Sequence, residues 1–114
     1  MTDCLFCKIV AGFIPSTKVY EDAKILAFRD IDPQAPEHIV IIPKLHITSA
    51  NQITEENIEY IAHIWTMIPK IAKDLGIDEK GYRVVNNCGK YGGQTVDHIH
   101  FHLMGGREFG WPAG

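Results

Sequence analysis

Residues 98–104 carry the feature that constrains this chain most, because three histidines alternate there with large apolar side chains. Strict alternation is the period of a β-strand, so His98, His100 and His102 are predicted to share one face while the residues between them enter a core. At the usual rise of a strand, the outer two imidazoles lie roughly 13 Å apart. The first and last histidines therefore cannot ligate one metal ion unless the strand bends.

Histidine is an unusual choice for the polar face of a strand, since lysine, threonine or glutamate would serve solubility better. Its unperturbed pKa lies near neutrality, at about 6.5. The side chain can therefore be a nucleophile, a proton carrier or a metal ligand. We interpret the alternating segment as a functional site rather than as a half-exposed strand.

Length and charge limit the kinds of protein that this chain can be. Its 114 residues suit one domain spanning residues 1–114. The formal net charge of -3 argues against a general affinity for nucleic acid or for anionic membranes. The sequence shows no secretory signal and no apolar run near the roughly 20 residues of a membrane span. We expect a cytoplasmic protein with neither nucleic acid nor a membrane as its partner.

The order of the predicted elements indicates an α+β fold. A short N-terminal helix is predicted over residues 4–11, and strands are predicted at residues 19–20, 24–28, 38–42, 81–87 and 98–104. One long helix interrupts the strands. We therefore expect an antiparallel sheet of about five strands with one face covered by the long helix.

The long helix has recognisable ends. Thr54 is predicted as its N-cap, and Gly76 is predicted as the C′ residue just beyond its last turn. Pro69 lies inside it and predicts a kink or a local bend, because proline removes one bond of the helical ladder. The predicted core stripe consists of Ile58, Ile61, Trp65, Ile68, Ala72 and Leu75.

A glycine-rich loop precedes the histidine segment. Glycines let backbone N–H groups approach an anion without obstruction by a Cβ atom. In Gly92-Gly93-Gln94-Thr95 a threonine hydroxyl is added to these donors, a few residues before His98. Donors for phosphate oxygens beside an imidazole nucleophile are what phosphoryl transfer to histidine requires.

A second group of residues indicates a metal site. Cys4 and Cys7 supply two soft ligands at a normal zinc spacing, which we favour over a disulfide or a thioredoxin-like redox pair. A tetrahedral site then needs two further ligands. The candidates are histidines: His46 and His98, with His38 and His63 as others, although His63 fits a structural position on the helix better. Spacing alone does not decide between His38 and His46.

The histidine segment resembles the His-x-His-x-His-hydrophobic-hydrophobic signature of the histidine triad (HIT) nucleotide-binding proteins. Other similarities follow in order along nearly the whole chain: residues 6–9, 14–15, 20–22, 27–31, 33–36, His38, residues 42–46, 82–83, Asn87, residues 92–95 and 105–107. The short chain, the Gly-Gly-Gln-Thr loop and the Trp111-Pro112 tail are most similar to the Hint-type nucleoside phosphoramidases.

This resemblance implies a purine nucleotide-binding hydrolase that cleaves nucleoside phosphoramidates or related nucleoside monophosphate derivatives. It implies that His100 is the nucleophile of a two-step reaction through a covalent nucleotidyl-histidine, that His102 helps bind phosphate or the leaving group, and that His38 supports them. By the same similarity the nucleotide is bound by Phe6, Ile9, Phe28 and Ile31 around the base, by Asp30 at the ribose, and by Asn87, Gly93 and Thr95 at the α-phosphate.

The resemblance also implies a structural zinc ion, one per subunit, because members that begin with Cys-x-x-Cys use this metal. Its ligands would be Cys4, Cys7, His46 and His98, which leaves no open position for water. Members of the family are typically homodimers. The tail with Trp111 is similar to the tail that reaches the partner's site in Hint-type proteins.

Three other functions are compatible with parts of the pattern. A dinucleoside polyphosphate hydrolase of the same fold usually carries a glutamine near the triad, and here Gln94 lies four residues before it. A nucleotide-binding or scaffold protein with vestigial catalysis would be expected to lose the nucleophile or the phosphate donors. A zinc-stabilised interaction module would leave His100 and His102 without a purpose.

Overall fold

The structure is a computed structural model that describes residues 3–114. In chain order its main elements are α1 (Leu5–Val10), β1 (Lys18–Glu21), β2 (Ile25–Arg29), β3 (Glu37–Pro43), α2 (Ile58–Asp74), β4 (Tyr82–Val85) and β5 (Phe101–Gly105). All strand pairs are antiparallel and form one sheet in the order β1-β2-β3-β5-β4. The predicted α+β fold, with five strands, one long helix and a short N-terminal helix, is confirmed.

Strand β3 lies at the centre of the sheet and is buried along almost its whole length. Its continuous β-branched run fits this position, because a strand covered on both faces needs apolar residues at every position. The register places His38 opposite Met104 and Val40 opposite His102. The central strand therefore brings His38 close to the last histidine of the triad.

The two faces of the sheet are covered by different helices. Helix α2 packs on one face, over a cluster that includes Ile39, Phe101 and Leu103. Helix α1 packs on the other, where Phe6 and Ile9 join a second buried cluster. The sequence predicted only the first of these layers over the sheet, and the second layer is what encloses the histidines.

The histidine segment is less regular than its alternation predicts. Strand β5 begins at Phe101, so His98 and His100 precede the ladder. The alternation itself holds, because Ile99, Phe101 and Leu103 all lie in the core beneath α2. Both His98 and His100 are nevertheless buried, since α1 covers their face of the sheet.

Helix α2 begins later than predicted. Asn57, not Thr54, occupies the N-cap position, because residues 54–57 close a turn of their own in which the Asn57 side chain accepts from the Thr54 N–H. The helix then runs without interruption through Pro69. Its C-terminal end is as predicted: Gly76 has a φ of 74°, and the N–H groups of Gly76 and Ile77 bond to carbonyls of the last turn.

The buried face of α2 is rotated relative to the predicted stripe. Ile61, Ile68 and Ala72 are buried as expected, and Leu75 packs partly against the same core. Ile58 and Trp65 are instead about half exposed, at 46% and 49%. Their places in the core are taken by Ile64, Met67 and Ile71.

No helix in the described part of the chain is both long and apolar enough to span a bilayer.

Asp22, in the turn between β1 and β2, joins the edge of the sheet to α2. Its carboxylate accepts hydrogen bonds from the His63 ring, the Tyr20 hydroxyl and the backbone N–H groups of Lys24 and Ile25. Burial alone would raise the pKa of this carboxyl, but these hydrogen bonds outweigh it and hold the pKa well below the ordinary value of 3.8. His63 is therefore structural, as its helical position predicted.

Asp22→Asn should lower the free energy of unfolding by about 1–3 kcal/mol at pH 7, because an amide nitrogen would face two donors. The folded-state pKa of Asp22 is depressed, so its stabilisation is complete above 3.8 and is lost as the pH falls below that value. Urea unfolding from pH 7 to pH 3 should show the gap between wild type and variant closing. Asp78→Asn, at an exposed position, is the control; a gap that stays constant with pH would contradict this account.

Candidate active site and metal centre

The cysteines and two histidines form a compact cluster of potential metal ligands. The Sγ atoms of Cys4 and Cys7 and one ring nitrogen each of His46 and His98 all lie within 4.8 Å of one another. Cys4 caps α1 and Cys7 lies in its first turn, so both thiols meet at the same end of the helix. Spacing left His38 and His46 as alternatives, and the structure places His46 in this cluster.

The distances within this cluster suit a tetrahedral ion. Sγ of Cys4 lies 3.3 Å from Nδ1 of His98, and Sγ of Cys7 lies 3.3 Å from Nδ1 of His46 and 3.6 Å from Nδ1 of His98. Sulfur and nitrogen ligands bonded to one tetrahedral Zn²⁺ at normal lengths are about 3.5 Å apart. The donor set and these three distances therefore fit a tetrahedral zinc site.

The orientation of His98 also suits a metal ligand. Its Nε2–H donates to the carbonyl of Pro43 at 2.9 Å, which leaves the lone pair of Nδ1 directed at the two cysteines. Burial lowers the pKa of this imidazole to about 4, so the ring is neutral at pH 7. A second nitrogen held by a backbone carbonyl is the usual arrangement for a histidine that binds metal.

His100 is oriented in the opposite way to His98, because its Nδ1 and not its Nε2 donates to a backbone carbonyl. Its Nδ1 lies 2.8 Å from the carbonyl oxygen of His98, and because a carbonyl only accepts, Nδ1 carries the proton. In the neutral form of this ring, the lone pair is therefore on Nε2. The ring is buried and packs edge-on against Phe6, with the ring centres 5.0 Å apart. The hydrogen bond thus fixes the orientation of the ring and leaves Nε2 as the nitrogen that can act as a nucleophile when the ring is neutral.

His38 and His102 form a chain of directed hydrogen bonds. The backbone N–H of Gln34 donates to Nδ1 of His38 at 3.0 Å, so a neutral His38 carries its proton on Nε2. That nitrogen lies 2.9 Å from Nδ1 of His102, which therefore accepts and leaves the His102 proton on Nε2. Burial lowers the pKa of His38 and lowers that of His102 to about 4, so both rings are neutral at pH 7.

Asp30 places a carboxylate beside these hydrogen-bonded rings. One of its oxygens lies 3.4 Å from Nε2 of His38 and 4.0 Å from Nδ1 of His102. These three residues lie close enough to hold a metal ion. However, Nδ1 of His38 accepts a hydrogen bond, so Nε2 holds the ring's only proton and has no lone pair to offer. This geometry favours a hydrogen-bonded relay over a second metal site.

The glycine-rich loop is held in shape by Gln94. Its side-chain oxygen accepts from the N–H of Gly89, and its side-chain nitrogen donates to the carbonyls of Thr48 and Val96. Asn87 donates to the carbonyl of Gly92 at the other side of the loop. No pattern in the sequence indicates this role of Gln94, whose side chain holds the loop through these backbone contacts.

Only some of the residues predicted to contact a base lie together in the structure. Phe6, Ile9 and Phe28 lie in one buried cluster, and the Phe6 ring touches both Phe28 and His100. Ile31 lies on the following loop and is fully exposed. The remaining predicted contacts differ in burial, since Asp30 and Asn87 are half-buried whereas Gly93, Thr95 and Trp111 are exposed.

This chain is similar in sequence to one protein family and to several proteins of known name. The family model described as the HIT domain matches residues 11–109. A curated 14 kDa zinc-binding protein from Zea mays is 50% identical over 112 residues, covering 96% of this chain and 87% of the relative. A purine nucleoside phosphoramidase from Escherichia coli is 46% identical over 108 residues, covering 95% of this chain and 91% of the relative.

The fold has a close counterpart among solved structures. A HIT family hydrolase from Legionella pneumophila superposes with a TM-score of 0.96 at 53% sequence identity. The match covers 98% of this chain and all of that one. The similarity in sequence and the similarity in fold therefore extend over almost the same residues.

Gly92→Ala should distort the glycine-rich loop, because a Cβ at this position would overlap the backbone of Cys88. We expect a loss of about 1–3 kcal/mol in the free energy of unfolding and a shifted Asn87 side-chain amide resonance. Gly110→Ala is the matched control, since a Cβ there meets nothing within 4 Å. Equal stability of the two variants, with an unmoved Asn87 resonance, would show that the loop does not need the glycine.

Proposed function

This chain belongs to the HIT domain family, and on that premise we propose that it is a purine nucleoside phosphoramidase acting through a covalent nucleotidyl-His100. The observation that carries the proposal is the 2.8 Å hydrogen bond from Nδ1 of His100 to the carbonyl of His98. In the neutral ring this bond places the lone pair on Nε2, which is held in a fixed position in a buried site. The proposed substrate is a nucleoside 5′-phosphoramidate or a related nucleoside monophosphate derivative.

We place the purine against the buried aromatic cluster. Phe6, Ile9 and Phe28 offer contact area for a flat ring beside His100. The exposed Ile31 would contact the same ring from the neighbouring loop. Asp30 would accept hydrogen bonds from the ribose hydroxyls, for which an ionised carboxylate is a strong acceptor.

We place the α-phosphate between the glycine-rich loop and the histidines. Asn87, Gly93 and Thr95 would supply an amide, a backbone N–H and a hydroxyl to its oxygens. His102 supplies its Nε2–H, because the relay from His38 keeps Nδ1 occupied as an acceptor. Donors fixed before the substrate arrives stabilise charge that develops on phosphate oxygens during the reaction.

The reaction proceeds in two displacements at phosphorus. First, the Nε2 lone pair of His100 bonds to phosphorus while the phosphorus–nitrogen bond breaks; the departing nitrogen keeps those electrons, takes a proton from water and leaves as an amine. Second, a water oxygen bonds to phosphorus and the bond to Nε2 breaks, returning its electrons to the ring. The proton lost by this water neutralises the hydroxide left in the first step, and the nucleoside monophosphate is released.

His102 acts in this scheme as a hydrogen-bond donor and not as an acid. Its pKa is lowered to about 4, so at pH 7 the ring is neutral, and a neutral imidazole N–H gives up its proton only with difficulty. Its contribution is electrostatic, directed at the oxygens of the phosphoryl group as their charge increases.

We further propose that Cys4, Cys7, His46 and His98 hold one structural zinc ion per subunit. The four ligand atoms are close enough for a tetrahedral site. In addition, a relative that is 50% identical is named as a zinc-binding protein. Four protein ligands leave no open position, so the metal would join the N-terminal segment to the residues before β5.

A homodimer is proposed from the surfaces that a single chain leaves uncovered. Strand β4 lies at the edge of the sheet, and Ile58 and Trp65 expose apolar surface on α2. A second copy packed there would cover both features. Trp111, exposed near the end of the tail, would then reach towards the partner's site.

The competing functions receive less support from the geometry. Gln94 is the residue that would favour a dinucleoside polyphosphate hydrolase, but both ends of its side chain are used to fix the loop. A vestigial binding protein would not need the fixed tautomer of His100. A zinc-stabilised module would not need the relay to His102.

His100→Ala should abolish turnover of adenosine phosphoramidate while AMP still binds within a few-fold of the wild-type affinity, because the missing ring is the nucleophile. Stopped reactions of the wild type should show a mass increase of one nucleotidyl group, absent in the variant. Full activity in His100→Ala would refute the nucleophile assignment. Faster wild-type turnover of a diadenosine polyphosphate would favour that alternative, and AMP binding without turnover or adduct would favour a binding protein.

Replacing Cys4 and Cys7 together by serine should remove zinc and lower the melting temperature. Both effects should exceed the change in kcat of the protein that remains folded, because the metal is not part of the reaction. Metal analysis and thermal unfolding measure them. Cys88→Ser, outside the cluster, is the matched control. Unchanged zinc content and melting temperature in the double variant would exclude the site.

A further inference from the structure

The loop between β2 and β3 is fastened to the chain beyond β5 by a single arginine. Nε and Nη2 of Arg107 both donate to the carbonyl of Gln34, at 3.1 and 3.0 Å. The guanidinium also lies over the ring of Phe109, 4.1 Å from its centre. Two donors that converge on one oxygen hold the Gln34 carbonyl in place more firmly than a single hydrogen bond would.

The same residue meets His38 through its other backbone group. The Gln34 N–H donates to Nδ1 of His38, and this is the contact that places the His38 proton on Nε2. The two tautomers of a neutral imidazole differ little in free energy, so a hydrogen bond worth about 1 kcal/mol or more decides between them. His38 is 5% exposed, which leaves little room for water to act in place of that N–H.

From these contacts we propose that Gln34 and Arg107 are positioning residues that set the tautomer of His38 and thereby keep the proton of His102 on Nε2, facing the phosphoryl group. The proposal rests on the function proposed above for His102. Without the Gln34 N–H, His38 could carry its proton on Nδ1 and offer a lone pair to His102. The His102 proton would then move to Nδ1, and a lone pair would face the negatively charged substrate.

Asp30 also favours a proton on Nε2 of His38, since its carboxylate lies 3.4 Å from that nitrogen. When a ribose is bound, however, Asp30 is proposed to accept from the sugar hydroxyls instead. The Gln34 N–H donates to the other ring nitrogen, Nδ1, and no role in binding the ribose is proposed for it. It is therefore the constraint that persists in the enzyme–substrate complex, where the tautomer matters.

The first test reads the tautomer directly in the wild-type protein. Two-bond proton–nitrogen correlation spectra of ¹⁵N-histidine-labelled protein at pH 7 distinguish a protonated from an unprotonated ring nitrogen, and His38→Asn identifies the His38 signals. We expect a protonated Nε2 on both His38 and His102. A proton on Nδ1 of His38 would overturn the proposal, whatever the activity of the enzyme.

The second test removes each contact. Gln34→Pro deletes the N–H, whereas Gln34→Ala keeps it and removes only the side chain. We expect the proline variant to show the second His38 tautomer and a kcat about tenfold below that of the alanine variant, with KM within about twofold, because the lost interaction acts in the transition state. An unchanged tautomer and kcat in folded Gln34→Pro would overturn the proposal.

Arg107→Met provides an independent variant in case the proline variant does not fold. Arg83→Met is its matched control, since Arg83 also lies over Phe109 and donates to the carbonyl of Gly110, but does not contact Gln34. A mixed His38 tautomer is expected only in Arg107→Met, and equal spectra for both variants would count against the proposal. If the wild type lacks phosphoramidase activity, the function proposed above fails, and the tautomer spectra still decide whether Gln34 sets the proton on His38.

Discussion

An imidazole that donates one ring N–H to a backbone carbonyl has only its other nitrogen left to react, and this constraint governs the whole site. The carbonyl of Pro43 directs the lone pair of His98 towards the cysteines, and the carbonyl of His98 directs that of His100 in the opposite sense. A backbone N–H reverses the polarity at His38. Four chemically identical rings thereby divide into two tautomers, with the proton on Nδ1 in His100 and on Nε2 in the other three.

These backbone contacts depend on how the sheet is covered. If only α2 packed against it, the histidine face would be open to water, and water would compete for every ring nitrogen. Helix α1 closes that face with Phe6, and it supplies Cys4 from its N-cap and Cys7 from its first turn. The short N-terminal helix therefore both excludes solvent from His100 and contributes half of the side chains in the candidate metal cluster.

Residue types and their spacing were sufficient to predict the α+β fold, the shared face of the alternating histidines and the pairing of the two cysteines in one cluster. They were insufficient wherever a choice depended on tertiary geometry. Spacing could not separate His46 from His38, and the phase of α2 was wrong at Ile58 and Trp65, because an apolar residue on a helix can face either a core or an uncovered surface. The contact of Gln34 with His38 had no signal at all, since every residue except proline carries the same backbone N–H.

Residue 98 has two roles, one through its side chain and one through its backbone carbonyl. The imidazole ring takes part in the metal cluster, whereas His100 is oriented by the carbonyl oxygen, which every amino acid provides. The ring and the carbonyl can therefore be changed independently. A substitution that removes the imidazole at position 98 takes one side chain from the candidate metal cluster and leaves in place the carbonyl that orients His100.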